Sequence, residues 1–151
     1  MNKISIILLI GFAVVFSYSF KTLKVKGEIS WKSADEAIAS SVKDGKPIFI
    51  DVYTDWCGWC KILDKKTFQN SDVVDYVSDN YHAVKLNPEK DGSFQFKGKD
   101  YTNESFALSH DVNSYPAIIV IHPKGKEKVY VGYRDSKSFL EILKKYKRQV
   151  D

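Results

Sequence analysis

The sequence predicts an α/β fold, a mixed sheet of four or five strands with helices on both faces. Short, almost continuously apolar runs alternate with amphipathic stretches along the chain. One of them, Ile48 to Tyr53, is too apolar to have a solvated face, as expected for a strand inside a parallel sheet. A tight turn at Pro123-Lys124-Gly125-Lys126 joins two later runs so closely that they must pair antiparallel. With 151 residues, 44% hydrophobic and 28% charged, the chain suffices for one domain with a substantial core and shows no bias toward disorder.

The chain opens on a basic Met1-Asn2-Lys3 and an apolar run from Ile4 to Phe16, and Ser17 and Ser19 are small residues spaced for cleavage before Phe20. Residues 1–19 are therefore expected to be a signal peptide, or an uncleaved anchor near the short end of spanning length. Residues 20–28 read as a lysine-rich linker and 29–151 as the domain. The expected location is extracytoplasmic or periplasmic, with an N-terminal membrane tether as the alternative. Net charge is only +4, carried by scattered lysines, so no nucleic-acid partner is expected. A monomer is expected.

Within the domain, Ile29 and Trp31 lead into Ser33-Ala34-Asp35-Glu36, a capping box that opens a helix through Lys43. Asp44-Gly45-Lys46-Pro47 stops it, and the strand Ile48–Tyr53 follows. Lys61 to Phe68 has helical spacing. Ser71 can cap a further helix whose inward stripe is Val73, Val74 and Val77. His82 to Leu86 reads as a second strand, and Asn87 to Asn103 as a long polar loop able to hold a small hairpin. A short helix over Glu104–Asp111, strands over Pro116–Ile121 and Lys128–Tyr133, and an amphipathic helix over Ser136–Gln149 complete the chain.

There are two cysteines, Cys57 and Cys60, three positions apart where a strand passes into a helix. A bridge between them closes a tiny loop and adds little to stability, so it is better suited to chemistry. At a helix N-terminus the free amides and the dipole stabilise a thiolate, which makes Cys57 the attacking sulfur and Cys60 the resolving one. Asp51, among apolar neighbours six residues earlier, is placed to take the Cys60 proton if burial raises its pKa. Trp56 and Trp59 flank the pair on a loop, Trp56 suited to packing and Trp59 to docking a substrate peptide. Tyr115-Pro116 starts a buried strand with a proline, and a cis bond there would free the Tyr115 backbone to pair with an extended chain. A structural zinc wants four ligands, and His82, His110 and His122 are scattered without metal-binding spacing.

Taken together, Trp56-Cys57-Gly58-Trp59-Cys60-Lys61, Asp51 and Tyr115-Pro116 resemble the thioredoxin superfamily. Lys85-Leu86-Asn87 resembles its strand with a lysine near the buried aspartate, and Val131-Gly132-Tyr133 its glycine at the rim of the substrate groove. The stretch from Trp31 to Lys61 is similar to the branch that includes the C-terminal domain of the transmembrane thiol:disulfide interchange protein. The resemblance implies a thioredoxin-like three-layer fold with Cys57, Cys60, Asp51 and Lys85 as catalytic residues. Trp56, Gly58, Trp59, Tyr115, Pro116 and Gly132 would contact substrate. The expected function is a thiol–disulfide oxidoreductase acting on protein thiols and disulfides, as a reductase with a membrane electron donor, and with no cofactor beyond the Cys57–Cys60 disulfide. A soft-metal (copper or zinc) binding or delivery module using the same thiols is the alternative. Gly58-Trp59 stands where thioredoxin itself has Gly-Pro, and Ala117 where threonine is usual.

Overall fold

A computed structural model describes residues 27–150; the predicted signal segment 1–19 and most of the linker lie outside the described residues. Five strands form the main sheet: β1 (Trp31–Lys32), β2 (Ile48–Val52), β3 (His82–Leu86), β6 (Ala117–Ile121) and β7 (Glu127–Val131), in the order β1-β3-β2-β6-β7. The first two pairings are parallel and the last two antiparallel. The mixed sheet and the β6–β7 hairpin match the sequence expectation, whereas the antiparallel β2–β6 pairing departs from it, because a helical connection by itself does not fix the direction in which the next strand joins the sheet. Strands β4 (Ser93–Phe96) and β5 (Lys99–Thr102) form a separate hairpin inside the long polar segment after β3. The helices are α1 (Ala34–Asp44), α2 (Gly58–Leu63), α3 (Ser71–Asn80), α4 (Asn103–Ser109) and α5 (Ser136–Val150). No helix among the described residues is long and apolar enough to cross a membrane.

Several boundaries differ from the sequence expectations for identifiable reasons. The lead-in Trp31–Lys32 is a two-residue edge strand, because pairing with Ala83 and Val84 satisfies its backbone. The second predicted helix begins at Gly58 rather than Lys61, with Cys57 itself as N-cap, and widens into a π-helical turn over Asp64–Phe68. Asn70, not Ser71, caps α3: its side-chain oxygen accepts from the N–H groups of Asp72 and Val73. Asparagine and serine are near-equal caps, so composition alone could not choose between them. Helix α4 starts at Asn103, where Thr102 and Ser105 cap each other reciprocally, and it stops before Asp111, whose φ is 55°. The box Ser33/Glu36 and the left-handed Gly45 bound α1 where the sequence placed them.

Every residue of β2 is buried, so both faces of the sheet are covered. Alternation along the strand sends Phe49 to one side and Ile48, Ile50 and Val52 to the other. On Phe49's side, Leu63 of α2, Val73 and Val77 of α3, and Phe139 and Leu143 of α5 close the larger core. On the opposite side, Ala37 of α1, Phe106 of α4 and Phe94 of the hairpin close the second core. Asp51 lies two residues from Phe49 and so projects to the face that α2 covers. That places a carboxyl beneath the helix that carries Cys60.

Phe49 is fully buried and is ringed by Trp31, Phe68, Tyr81 and Phe139 at centroid distances of 5.5 to 6.5 Å. Phe49→Ala should therefore lower unfolding free energy by about 3–5 kcal/mol. Urea denaturation checks this, and a loss below about 1 kcal/mol would show that this cluster is not the centre of the core.

Candidate active site

Cys57 and Cys60 are joined in a disulfide with Cα atoms 5.3 Å apart. The loop from Thr54 is held by the Cys57 N–H donating to the Thr54 carbonyl, and the Cys57 sulfur accepts from the Cys60 N–H at 3.1 Å. This sulfur sits in the N-cap position of α2, where backbone amides have no helical partner. A thiolate released there would meet a preformed donor and the positive end of the helix. Residue exposure barely separates the two cysteines, 5% against 3%; they differ in position, Cys57 at the N-cap and Cys60 within the first turn of α2.

Asp51 is 1% exposed and pairs in register with Lys85 of β3 on one side and Ile118 of β6 on the other. Its Oδ2 accepts from Lys85 Nζ at 3.0 Å, while buried Oδ1 has no hydrogen-bond partner among the described residues. Burial pushes the carboxyl up from 3.8 to about 6; Lys85 works against that rise and Asp64 adds to it. Lys85 also bonds Asp64 from the π-helical turn and lies 4.8 Å from the ring centroids of both Trp31 and Tyr53. Burial disfavours its charge, yet Asp51 and Asp64 together hold its pKa above the ordinary lysine value. The carboxyl thus stays mostly ionised near neutral pH but accepts a proton readily, which is the property a base for the Cys60 thiol needs.

The remaining expected residues gather around the pair. The Tyr115–Pro116 bond is cis, and the Pro116 carbonyl accepts from the Gly132 N–H at 2.8 Å, tying together the starts and ends of two strands. Gly132 has φ 90°, a conformation that glycine adopts without strain. Gly58, the first residue of α2, is exposed, and a side chain there would meet open space. Trp56 is 67% exposed and Trp59 59%, so neither is a packing residue. Trp56 donates its indole N–H to both carboxylate oxygens of Glu89 and sets its edge against Tyr115, while Trp59 lies on Tyr133. Sequence reasoning missed Asp64, Glu89 and Tyr133. Asp64 lies one helical turn past Cys60, a spacing that could have drawn notice, and Tyr133 adjoins the singled-out Gly132; nothing local marks Glu89.

A sheet of this order, with a Cys-x-x-Cys pair opening a helix opposite a cis proline, makes the chain a thioredoxin-like domain. The thioredoxin-like domain family matches residues 34–147, and the chain belongs to it. It is 26% identical over 107 residues to the disulfide bond reductase DsbH of Chlamydia pneumoniae, covering 70% of this chain and 63% of that protein. It is 30% identical over 107 residues to the thioredoxin of Borreliella burgdorferi, covering 70% of this chain and 78% of that one. Among solved structures, a DsbH oxidoreductase superposes with a TM-score of 0.66 at 20% identity, covering 89% of this chain and 96% of the other. The chain spans less than two thirds of several curated relatives it matches, among them the chlamydial reductase and, at 14%, the thiol:disulfide interchange protein DsbD of Pseudoalteromonas atlantica.

The Asp51 carboxyl has a consequence for stability. Between pH 3.8 and about 6 the folded protein retains a proton that the unfolded chain releases, so stability falls as pH rises through that window. Asp51→Asn should be more stable than the parent at pH 7, by about 2–3 kcal/mol, with the gap closing below pH 4. Thermal or urea unfolding across pH 3 to 8 measures it, and a variant less stable at pH 7 would overturn the raised pKa.

Proposed function

We propose that the protein is a thiol–disulfide oxidoreductase that reduces protein disulfides outside the cytosol. The observation that carries this reading is the Cys57–Cys60 pair at the start of α2, above a buried carboxyl on the face that the helix covers. In the reduced protein the Cys57 thiolate attacks a substrate disulfide, forming a mixed disulfide and releasing one substrate thiolate. Asp51 takes the Cys60 proton, and the Cys60 thiolate then attacks the Cys57 sulfur. The second substrate thiolate leaves, and the pair ends oxidised, having given two electrons to the substrate. Tyr115, Pro116 and Gly132 line the edge where an extended substrate backbone pairs, with Trp56 and Trp59 supplying apolar contact and exposed Gly58 leaving room at the sulfur.

The reductive direction is supported by the names of the relatives, a disulfide bond reductase among them. It is also supported by chemistry: no histidine lies between the cysteines to stabilise the thiolate further, so the reduced form is not strongly favoured. Export rests on residues 1–19, and in an oxidising compartment a reductase needs a continuing electron supply, for which a membrane donor is the natural source.

With dithiothreitol as donor, the purified protein should reduce insulin and Cys57→Ser should lose that activity. Unchanged turnover in that variant would overturn the assignment. Cys60→Ser should instead accumulate mixed disulfides through Cys57, visible on non-reducing gels. Equilibration in glutathione buffers should give a potential nearer about −270 mV than about −120 mV, and the latter would reverse the direction.

A further inference from the structure

Beside the redox pair lies a cleft of about 530 Å³ that the exchange chemistry does not use. One wall is the segment that follows β3, with Glu89 and Asp91; the other is α4, with Glu104 and Leu108; Val112 and Tyr115 close the floor. The cleft is continuous with the site. Tyr115 precedes the cis proline and its ring meets Trp56, and Glu89 holds the same Trp56 through its indole N–H.

The charge of this cleft opposes that of the chain. The protein as a whole carries +4, yet Lys90, the only cation among the lining residues, is paired with Asp55 at 3.0 Å. Glu89, Asp91 and Glu104 are left to set the local field. Burial pushes the Tyr115 phenol up, and the charges of Glu89 and Glu104 push it further. Among the described residues no three His, Cys, Asp or Glu side chains come close enough to share a metal ion. The carboxylates are instead spread along the cleft, a layout that suits several separate side-chain cations. Leu108 is 62% exposed over a floor that includes buried Val112, so the cleft also offers apolar contact.

The wall is preformed. The Asn103 N–H donates to the Gly92 carbonyl and its side-chain amide to the Lys90 carbonyl. A Cβ on Gly92 would lie 2.6 Å from that amide, so a larger residue there would displace the Asn103 side chain.

We propose that this cleft docks a segment of the protein substrate in which lysine or arginine alternates with apolar residues, next to the disulfide being exchanged. The proposal rests on the oxidoreductase reading and deepens it by naming the substrate class. The pairings are partly exposed, so their combined effect on kcat/KM is roughly three- to tenfold, carried in KM and weakened by salt.

The test uses two peptides dimerised through one cysteine, identical except for lysine or glutamate at the flanking positions. The oxidised protein should bind the serine-for-cysteine form of the lysine peptide more tightly than its glutamate twin, and the reduced protein should turn over the lysine dimer with the higher kcat/KM. Asp91→Asn combined with Glu104→Gln should shrink both preferences by at least half while leaving the reduction of hydroxyethyl disulfide unchanged. Equal binding of the two serine peptides, or a preference that the double substitution leaves undiminished, overturns the cleft assignment. A binding preference without any disulfide turnover upholds the cleft and counts against the oxidoreductase reading instead.

Discussion

A carboxyl group in the middle of an apolar strand is the constraint on which this site depends. Isolated, an ionised Asp51 would cost several kcal/mol to bury, and the protein meets that cost only in part. Parallel pairing puts Lys85 directly beside it on β3, and the π-helical turn after α2 brings Asp64 to the same ammonium. One carboxylate oxygen has no hydrogen-bond partner among the described residues. Burial outweighs the stabilisation that Lys85 supplies, and Asp64 adds to the rise, so the carboxyl is held at about 6.

The sheet explains how such an arrangement stays in place. Phe49 and Asp51 share a face because strand side chains alternate, so the same packing that anchors Phe49 in its aromatic cluster orients the carboxyl. Helix α2 covers that face through Leu63, and its N-terminus follows the C-terminal end of the central strand β2. Cys57 caps the helix and Cys60 lies within its first turn, buried against the core. The Gly132–Pro116 hydrogen bond joins the last two antiparallel strands, so the surface proposed to meet substrate is built on rigid elements.

The individuality of the chain lies in what is attached to this frame. The hairpin β4–β5 and helix α4 add a second core centred on Phe106, with Phe94, Phe96 and Tyr101 against it. This core is what allows the segment after β3 to stand as a wall, with Glu89 reaching back to Trp56. Loops held by a rigid scaffold are where proteins of one fold differ in what they recognise.

Much of the fold could be read from local signals. The Ser33-x-x-Glu36 box, the Gly45 stop, the apolar run of β2 and the turn at Gly125 each act through neighbouring residues, so composition and spacing suffice. The cysteine pair belongs with them, since three residues and a helix start fully specify the bridge. The edge strand Trp31–Lys32 escaped notice because two residues carry no periodicity, and only pairing with β3 makes them a strand. Asp51 could be picked out as an anomalous polar residue, but its pKa depends on Lys85 and Asp64, and those distances are set by register and by a π-helical turn. Glu89 and Tyr133 became partners of the two tryptophans through contacts between segments remote in sequence. The sequence by itself determined most of the elements, their order and the paired cysteines. The tertiary structure alone decided how charge is arranged around them, because Coulomb interactions and desolvation depend on distances through space, not along the chain.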